Sequence, residues 1–155
     1  TVAATSGWGQ VFDDGLFGIN RQRRMGHMRD GTSNTIAIGE SVHPHLQGVG
    51  PGYDLPDQGG PVLWFMAAAC NPPCSTQSHW KYGRALRSTK YPINARLMPM
   101  ASTERNDTPF GSTHAGGAQF AFADGHVSMI WDTIDMATYG SLATIAGNDI
   151  VGELP

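Results

Sequence analysis

The side chains best suited to chemistry in this sequence are Ser112, His114 and Asp124, which lie in one short stretch of the chain. A hydroxyl, an imidazole and a carboxylate are the parts of a nucleophilic triad. Ser112, however, lies in Phe-Gly-Ser-Thr-His, which lacks the Gly-x-Ser-x-Gly pattern of a nucleophile elbow. The sequence therefore favours structural roles, in which His114 hydrogen-bonds backbone before a strand and Asp124 stabilises a turn.

A second candidate is a cation site, because oxygen-bearing side chains alternate at Asp30, Thr32 and Asn34 as they do at the start of a calcium loop. An EF-hand is excluded, since Thr35 replaces its sharp-turn glycine and Ser41 its bidentate glutamate. The simpler interpretation is an Asx-type turn before a strand. A non-standard calcium site is the alternative, and the sequence indicates no other cofactor.

Other ligand types occur in numbers too small to form a site. His43-Pro-His45 places two imidazoles on one side of an extended segment, and two ligands do not make a transition-metal site. Cys70 and Cys74 flank Asn-Pro-Pro, a tight loop that predicts a disulfide if the compartment is oxidising. Without a second cysteine pair a Cys-only zinc site is not expected. The four tryptophans leave glycan binding open.

Composition excludes several classes of protein. The 155 residues fit a single domain spanning 1–155. A charged fraction of 15%, with 20 Gly and 10 Pro, favours strands and turns over long charged helices. The net charge of -3 argues against a nucleic-acid partner. The longest apolar run, Val62 to Cys70, is well short of the roughly 20 residues of a membrane helix.

A β-hairpin should position the most distinctive of these residues. Asp124-Gly125 separates two alternating segments, 118–123 and 126–131, and Asp-Gly in that setting predicts a type I′ turn. A two-residue turn would place three pairs opposite one another, all facing the core. These pairs are Phe122 with Val127, Phe120 with Met129, and Ala118 with Trp131.

The remaining elements are short. The first 18 residues predict brief strands joined by turns, and Ile36 to Ile38 predicts a half-buried strand. Residues 44–61 should form a long loop, and 71–109 should be irregular. A helix is expected at 135–146, ended by Gly147, with its apolar stripe at Met136, Tyr139, Leu142 and Ala143. The fold class is therefore α+β: a mainly antiparallel sheet with long Pro/Gly-rich loops and a short C-terminal helix.

Three segments carry motifs in a fixed order: Gly15-Leu-Phe-Gly18 running on to Asp30-Gly-Thr-Ser-Asn-Thr-Ile-Ala-Ile-Gly-Glu40, then Pro92-Ile-Asn94, then Phe110-Gly-Ser-Thr-His114 through Asp124-Gly125. Nine residues separate His114 from Asp124. The pattern resembles the His-x9-Asp-Gly signature of a large bacterial family of prepilin-like proteins, and the tail at 134–153 is similar to that family's ending. The signature residues are Asp30, Gly31, Asn34, His114, Asp124 and Gly125.

The resemblance implies a protein similar to type IV pilins and type II secretion pseudopilins, which combine a cleaved prepilin leader, a long apolar N-terminal helix and a globular ectodomain. Because the sequence starts at Thr1 without that helix, we expect it to be the C-terminal part of such an ectodomain. The implied role is a non-enzymatic structural subunit outside the cytoplasm, in the cell envelope, at the cell surface or secreted. Its partners would be copies of itself or other pilin-like subunits, and it would meet a membrane only through the absent helix. The alternative is an extracytoplasmic binding module for calcium, another metal or a glycan.

Overall fold

The computed structural model describes residues 2–6, 9–18, 21–41, 87–95 and 109–147. Five strands lie in these ranges: β1 (Val2–Ser6), β2 (Gly9–Phe12), β3 (Ile36–Gly39), β4 (Gly117–Phe122) and β5 (Val127–Trp131). The helix α1 (Met136–Ser141) follows them, and short 3-10 turns cover Met25–His27 and Thr32–Asn34.

The strands form two antiparallel units. β1 pairs with β2, and a three-stranded sheet has the order β3-β4-β5. The antiparallel sheet and short helix confirm the α+β class, and the short strands predicted for the first 18 residues are present as β1 and β2. The loop predicted at 44–61 lies outside the described residues. In the described part of the chain, no helix has the length and apolarity needed to cross a bilayer.

The core lies on one face of the three-stranded sheet. Phe120, at its centre, is fully buried and makes edge-to-face contacts with Phe110 and Tyr139, at ring-centroid distances of 5.0 and 6.1 Å. Burying side chains of this size stabilises a fold by roughly 1.5–3 kcal/mol each. The other buried apolar members of this cluster are Ile36, Ile93, Ala118, Phe122, Ile130 and Leu142.

The hairpin β4–β5 is present, but its turn is one residue longer than predicted. The amide of Phe122 donates to the carbonyl of His126, and the amide of Gly125 donates to the carbonyl of Phe122, both at 2.9 Å. Residues 123–125 therefore form a three-residue loop that ends in Gly125, whose φ is 93°. A type I turn followed by a left-handed residue has this form, whereas type I′ turns have two-residue loops.

The longer turn shifts the register by one residue, so the predicted cross-strand pairs are wrong. Trp131 lies opposite Gly117, Met129 opposite Gln119 and Val127 opposite Ala121. A one-residue shift turns every side chain of a strand to the other face. Ile130 of β5 is consequently in the core, whereas Val127, Met129 and Trp131 face outwards. The core-facing side predicted for β4, Ala118, Phe120 and Phe122, is confirmed.

Helix α1 is shorter than predicted. It begins where expected, because Oδ1 of Asp135 accepts the amide hydrogen of Thr138 at 2.9 Å and caps the N-terminus. It ends at Ser141 rather than near Gly147. The next carbonyl, that of Leu142, accepts a hydrogen bond of 2.8 Å from the amide of Ile36, which ties the chain to the start of β3.

Candidate functional site

Glu40, directly after β3, is the centre of a polar cluster. Its Oε2 accepts a hydrogen bond of 2.8 Å from the amide of Gln119, and its Oε1 lies 3.3 Å from Nε2 of His114. The hydroxyl of Ser112 also donates to this carboxylate. The Glu40 backbone adds two bonds, since its amide donates to Gln119 at 3.0 Å and its carbonyl accepts from Gly111 at 3.1 Å. One residue thus fastens β3, the start of β4 and the loop before β4.

Asn94 joins the same cluster from a distant part of the chain. Its amide donates to the carbonyl of Phe110 at 3.0 Å, and its Oδ1 accepts the amide hydrogen of Ser112 at 2.8 Å. Its φ of 61° is left-handed, a conformation that Asn tolerates better than most residues. We call this cluster the Glu40 junction; its members are Glu40, Asn94, Ser112, His114 and Gln119.

Hydrogen bonding keeps the Glu40 carboxylate ionised. The backbone amide of Gln119 is the largest cause that lowers the pKa of Glu40. Burial, the next in size, opposes it, and the Ser112 hydroxyl and the His114 imidazole lower the pKa further. The side chains of Glu40 and His114 are 34% and 53% exposed, so the pair is screened by water. The junction therefore holds a surface carboxylate in a fixed position.

The contacts of Ser112 and His114 differ from those of a catalytic triad. Oγ of Ser112 accepts the amide hydrogen of His114 at 3.1 Å and donates to Glu40, while the imidazole contacts Glu40 rather than the serine hydroxyl. A triad requires the imidazole to take the serine proton. The sequence predicted that His114 bonds backbone; the structure places its ring against a carboxylate instead. The arrangement fastens the 109–116 loop.

Asp30, the first of the three predicted calcium ligands, holds the C-terminal tail. Its Oδ2 accepts the amide hydrogen of Gly147 at 2.7 Å and lies 3.3 Å from the Thr144 hydroxyl. The side chain of Asn34 donates to the carbonyl of Asp30 at 3.1 Å, and Gly31 between them has a φ of 94°. Thr32 begins the 3-10 turn Thr32–Asn34.

A calcium site at Asp30, Thr32 and Asn34 remains a prediction. Among the described residues, no three His, Cys, Asp or Glu side chains are grouped so as to hold a metal ion. Titration with calcium while following the melting temperature tests the site, since a ligand that binds the native state raises that temperature and an unchanged value excludes the idea.

Asp124 and Gly125 shape the hairpin turn. Oδ1 of Asp124 accepts the amide hydrogen of His126 at 3.0 Å and lies 2.7 Å from its Nδ1. This bond to the His126 backbone is the largest cause that lowers the pKa of Asp124. The His126 ring stacks on Phe122 with centroids 4.3 Å apart. These contacts hold the loop closed at the tip of the hairpin.

The structure brings part of the predicted residue set together and leaves part undescribed. The three motif segments meet at the Glu40 junction, while Asp30 and Asp124 act at separate places. Glu40 and Asn94 belonged to motif segments but had no predicted role, and Gln119 was not singled out. Several residues considered in the sequence analysis lie outside the described ranges: Trp8, His43, His45, Trp64, Cys70, Cys74 and Trp80.

Comparison with known proteins gives one result. Residues 4–137 match a family described as a protein of unknown function, DUF1559, and this range includes the Glu40 junction and the hairpin. No curated protein and no solved structure matches the chain. Since the match spans well over half of the sequence, the chain belongs to the DUF1559 family.

Proposed function

We propose that this chain is a non-enzymatic structural subunit of a pilin-like or pseudopilin-like assembly outside the cytoplasm. The observation that carries the proposal is the Glu40 junction. There the segments that resemble prepilin-like proteins converge, and their polar side chains bond to one another and to backbone. Motifs whose main contacts are internal serve to build a rigid domain.

The acidic side chains support the same role. In Glu40, Asp30, Asp124 and Asp135 the carboxylate accepts a hydrogen bond from a backbone amide, at distances of 2.7 to 3.0 Å. Such charge-assisted bonds are shorter and stronger than hydrogen bonds between neutral groups, although water weakens them at a surface. Carboxylates used in this way fix the conformation of loops, as a repeating building block requires.

The partners in this proposal are further copies of the chain or other pilin-like subunits, and the location is the cell envelope, the cell surface or the medium. Contact with a membrane would come from an N-terminal helix of the kind that prepilin-like proteins carry.

Mechanical shearing of producing cells tests the proposal. A subunit of a surface filament is released by shear as large particles, so it should sediment with the sheared material in an ultracentrifuge. A cytoplasmic protein followed in the same fractions controls for lysis. Recovery of the chain only as a monomer in the supernatant, or only inside cells, would count against the structural role.

A further inference from the structure

Strand β5 is at one edge of the three-stranded sheet, whose order is β3-β4-β5. At one end of the β4–β5 ladder, the amide of Phe122 donates to the carbonyl of His126 at 2.9 Å. At the other end, the amide of Asp132 donates to the carbonyl of Gly116 at 2.8 Å. In an antiparallel ladder such bonded residues alternate with residues whose amide and carbonyl point to the other side of the strand. The even-numbered residues of β5 therefore bond to β4, and the odd-numbered ones direct their backbone groups away from it.

The outward-directed backbone groups of β5 belong to Val127, Met129 and Trp131. Among the described residues, the one hydrogen bond made to these groups runs from the amide of Ile134 to the carbonyl of Trp131. A row of amides and carbonyls of this kind is a template for a further strand. Proteins usually block such an edge with a lysine, a proline or a bulge, and β5 has none of these. The edge is thus suited to pairing with another strand.

The side chains of the same residues are apolar and lie on the outer face of the sheet. Val127 and Trp131 are 62% and 46% exposed. Ile38 of β3 is 67% exposed and lies opposite Ala121, as Val127 does, so the apolar surface extends across the sheet. Exposed apolar side chains that lie next to one another usually mark an interaction site. A strand added at the edge would therefore gain apolar contact as well as backbone hydrogen bonds.

Resting on the structural role proposed above, we infer that β5 of one copy pairs with β5 of a second copy, antiparallel and centred on Met129. A two-fold axis at Met129 places Val127 opposite Trp131 of the second copy. The outward-directed amides and carbonyls then bond to one another, and the two sheets become one with the order β3-β4-β5-β5-β4-β3. The contact uses the same surface on both copies, so it closes at a dimer, and other contacts would join such dimers into a filament.

The edge is complementary to itself in this register. A β-branched residue and an aromatic residue directly opposite each other, as Val127 and Trp131 would be, stabilise a pair of strands. The exposed Asp132 would lie opposite the exposed His126 of the second copy, so a carboxylate meets an imidazole at each end. No like charges face each other along the strand, since residues 126–131 contain no Lys, Arg, Asp or Glu. This complementarity makes a second copy the occupant of the edge.

Cysteine cross-linking in cells that produce the full-length protein tests the contact. With a short bis-maleimide, Met129→Cys should give a covalent dimer, because residues paired across antiparallel strands have Cα atoms only about 5.5 Å apart. The unaltered chain controls for its own two cysteines. Ser33→Cys, at an exposed site in the 3-10 turn before β3, controls for chance collisions and should give no dimer. A dimer yield from Met129→Cys no higher than that of the controls overturns the inference.

Charged substitutions test the antiparallel register with a matched control. In the Met129→Cys background, Val127→Lys/Trp131→Lys places like charges opposite each other on both sides of the axis. Val127→Glu/Trp131→Lys places opposite charges there and replaces the same two side chains, so a loss of fold stability would affect both variants. The dimer yield of the first should be about tenfold lower than that of the second. Equal yields overturn the register.

Sedimentation after shearing separates this contact from the structural role. If Met129→Cys sediments with sheared filaments but gives no dimer, the inference fails while the structural role stands. If no filament contains the unaltered chain, the structural role fails, whether or not the dimer forms.

Discussion

Replacing Tyr139 with Phe should make the domain more stable. The ring of Tyr139 is fully buried against Phe120, and its hydroxyl is buried with no hydrogen-bond partner among the described residues. A buried hydroxyl that has lost its water without gaining a partner costs about 1–3 kcal/mol. Tyr139→Phe removes that cost and keeps the ring, so the free energy of unfolding should rise by about that amount. In a chain of this size each kcal/mol raises the melting temperature by about 2–4 °C.

Alkaline pH provides a second signature of the same burial, because burial raises the pKa of Tyr139 above its usual value. In the unfolded chain the phenol loses its proton near pH 10, while the native state keeps it. The unfolded state then binds fewer protons, so the stability from this group is present below about pH 10 and is lost as the pH rises further. Tyr139→Phe should lack this loss.

Thermal and urea unfolding, at neutral pH and above about pH 10, measure both effects. Tyr91→Phe is the matched control, since Tyr91 is only half-buried, and its effect should stay within about 0.5 kcal/mol. If Tyr139→Phe instead lowers the melting temperature, the hydroxyl has a stabilising partner and the reasoning from its burial is wrong.

Three further changes test other contacts. Hydrogen bonds lower the pKa of Glu40, so the stability that Glu40 contributes is present above its unfolded pKa near 4.5 and is lost as the pH falls through its native pKa. At neutral pH, the urea midpoint of Glu40→Gln should therefore lie below that of the wild type by the equivalent of about 1 kcal/mol. In acid the two midpoints should converge. Gly39→Ala would place a Cβ 2.5 Å from the Phe120 ring and should destabilise by about 1–3 kcal/mol in the same assay, whereas Gly26→Ala, with open space around it, should change little. Asp135→Ala removes the helix cap and should lower the melting temperature and the helical circular dichroism signal. An unchanged signal would show that the cap is not needed.

The hairpin shows how far local sequence patterns reach. The Asp-Gly pair between two alternating segments located both strands, and the large apolar side chains of β4 identified its core-facing side. In β5 both faces are apolar, since Ile130 alternates with Met129 and Trp131. Such a strand does not fix its own register, so the turn decides it, and Asp-Gly fits both a two-residue and a three-residue loop.

Local sequence patterns could not predict the Glu40 junction, because its contacts join distant parts of the chain. Glu40 is bonded to Ser112, His114 and Gln119, which are more than 70 positions further along the chain. Nothing in its immediate neighbourhood indicates those partners. The early end of α1 at Ser141 also depends on a distant contact, because the carbonyl of Leu142 accepts a hydrogen bond from Ile36, far earlier in the chain. Long-range pairing of polar groups is set by how the elements pack.

Immunogold electron microscopy of material sheared from producing cells tests the structural role most directly. With antibodies against this chain, we expect gold particles at regular intervals along filaments, and none on material from cells that lack the chain. Gold scattered on single particles, beside filaments that carry none, would contradict a subunit role and leave a dispersed binding module as the better account.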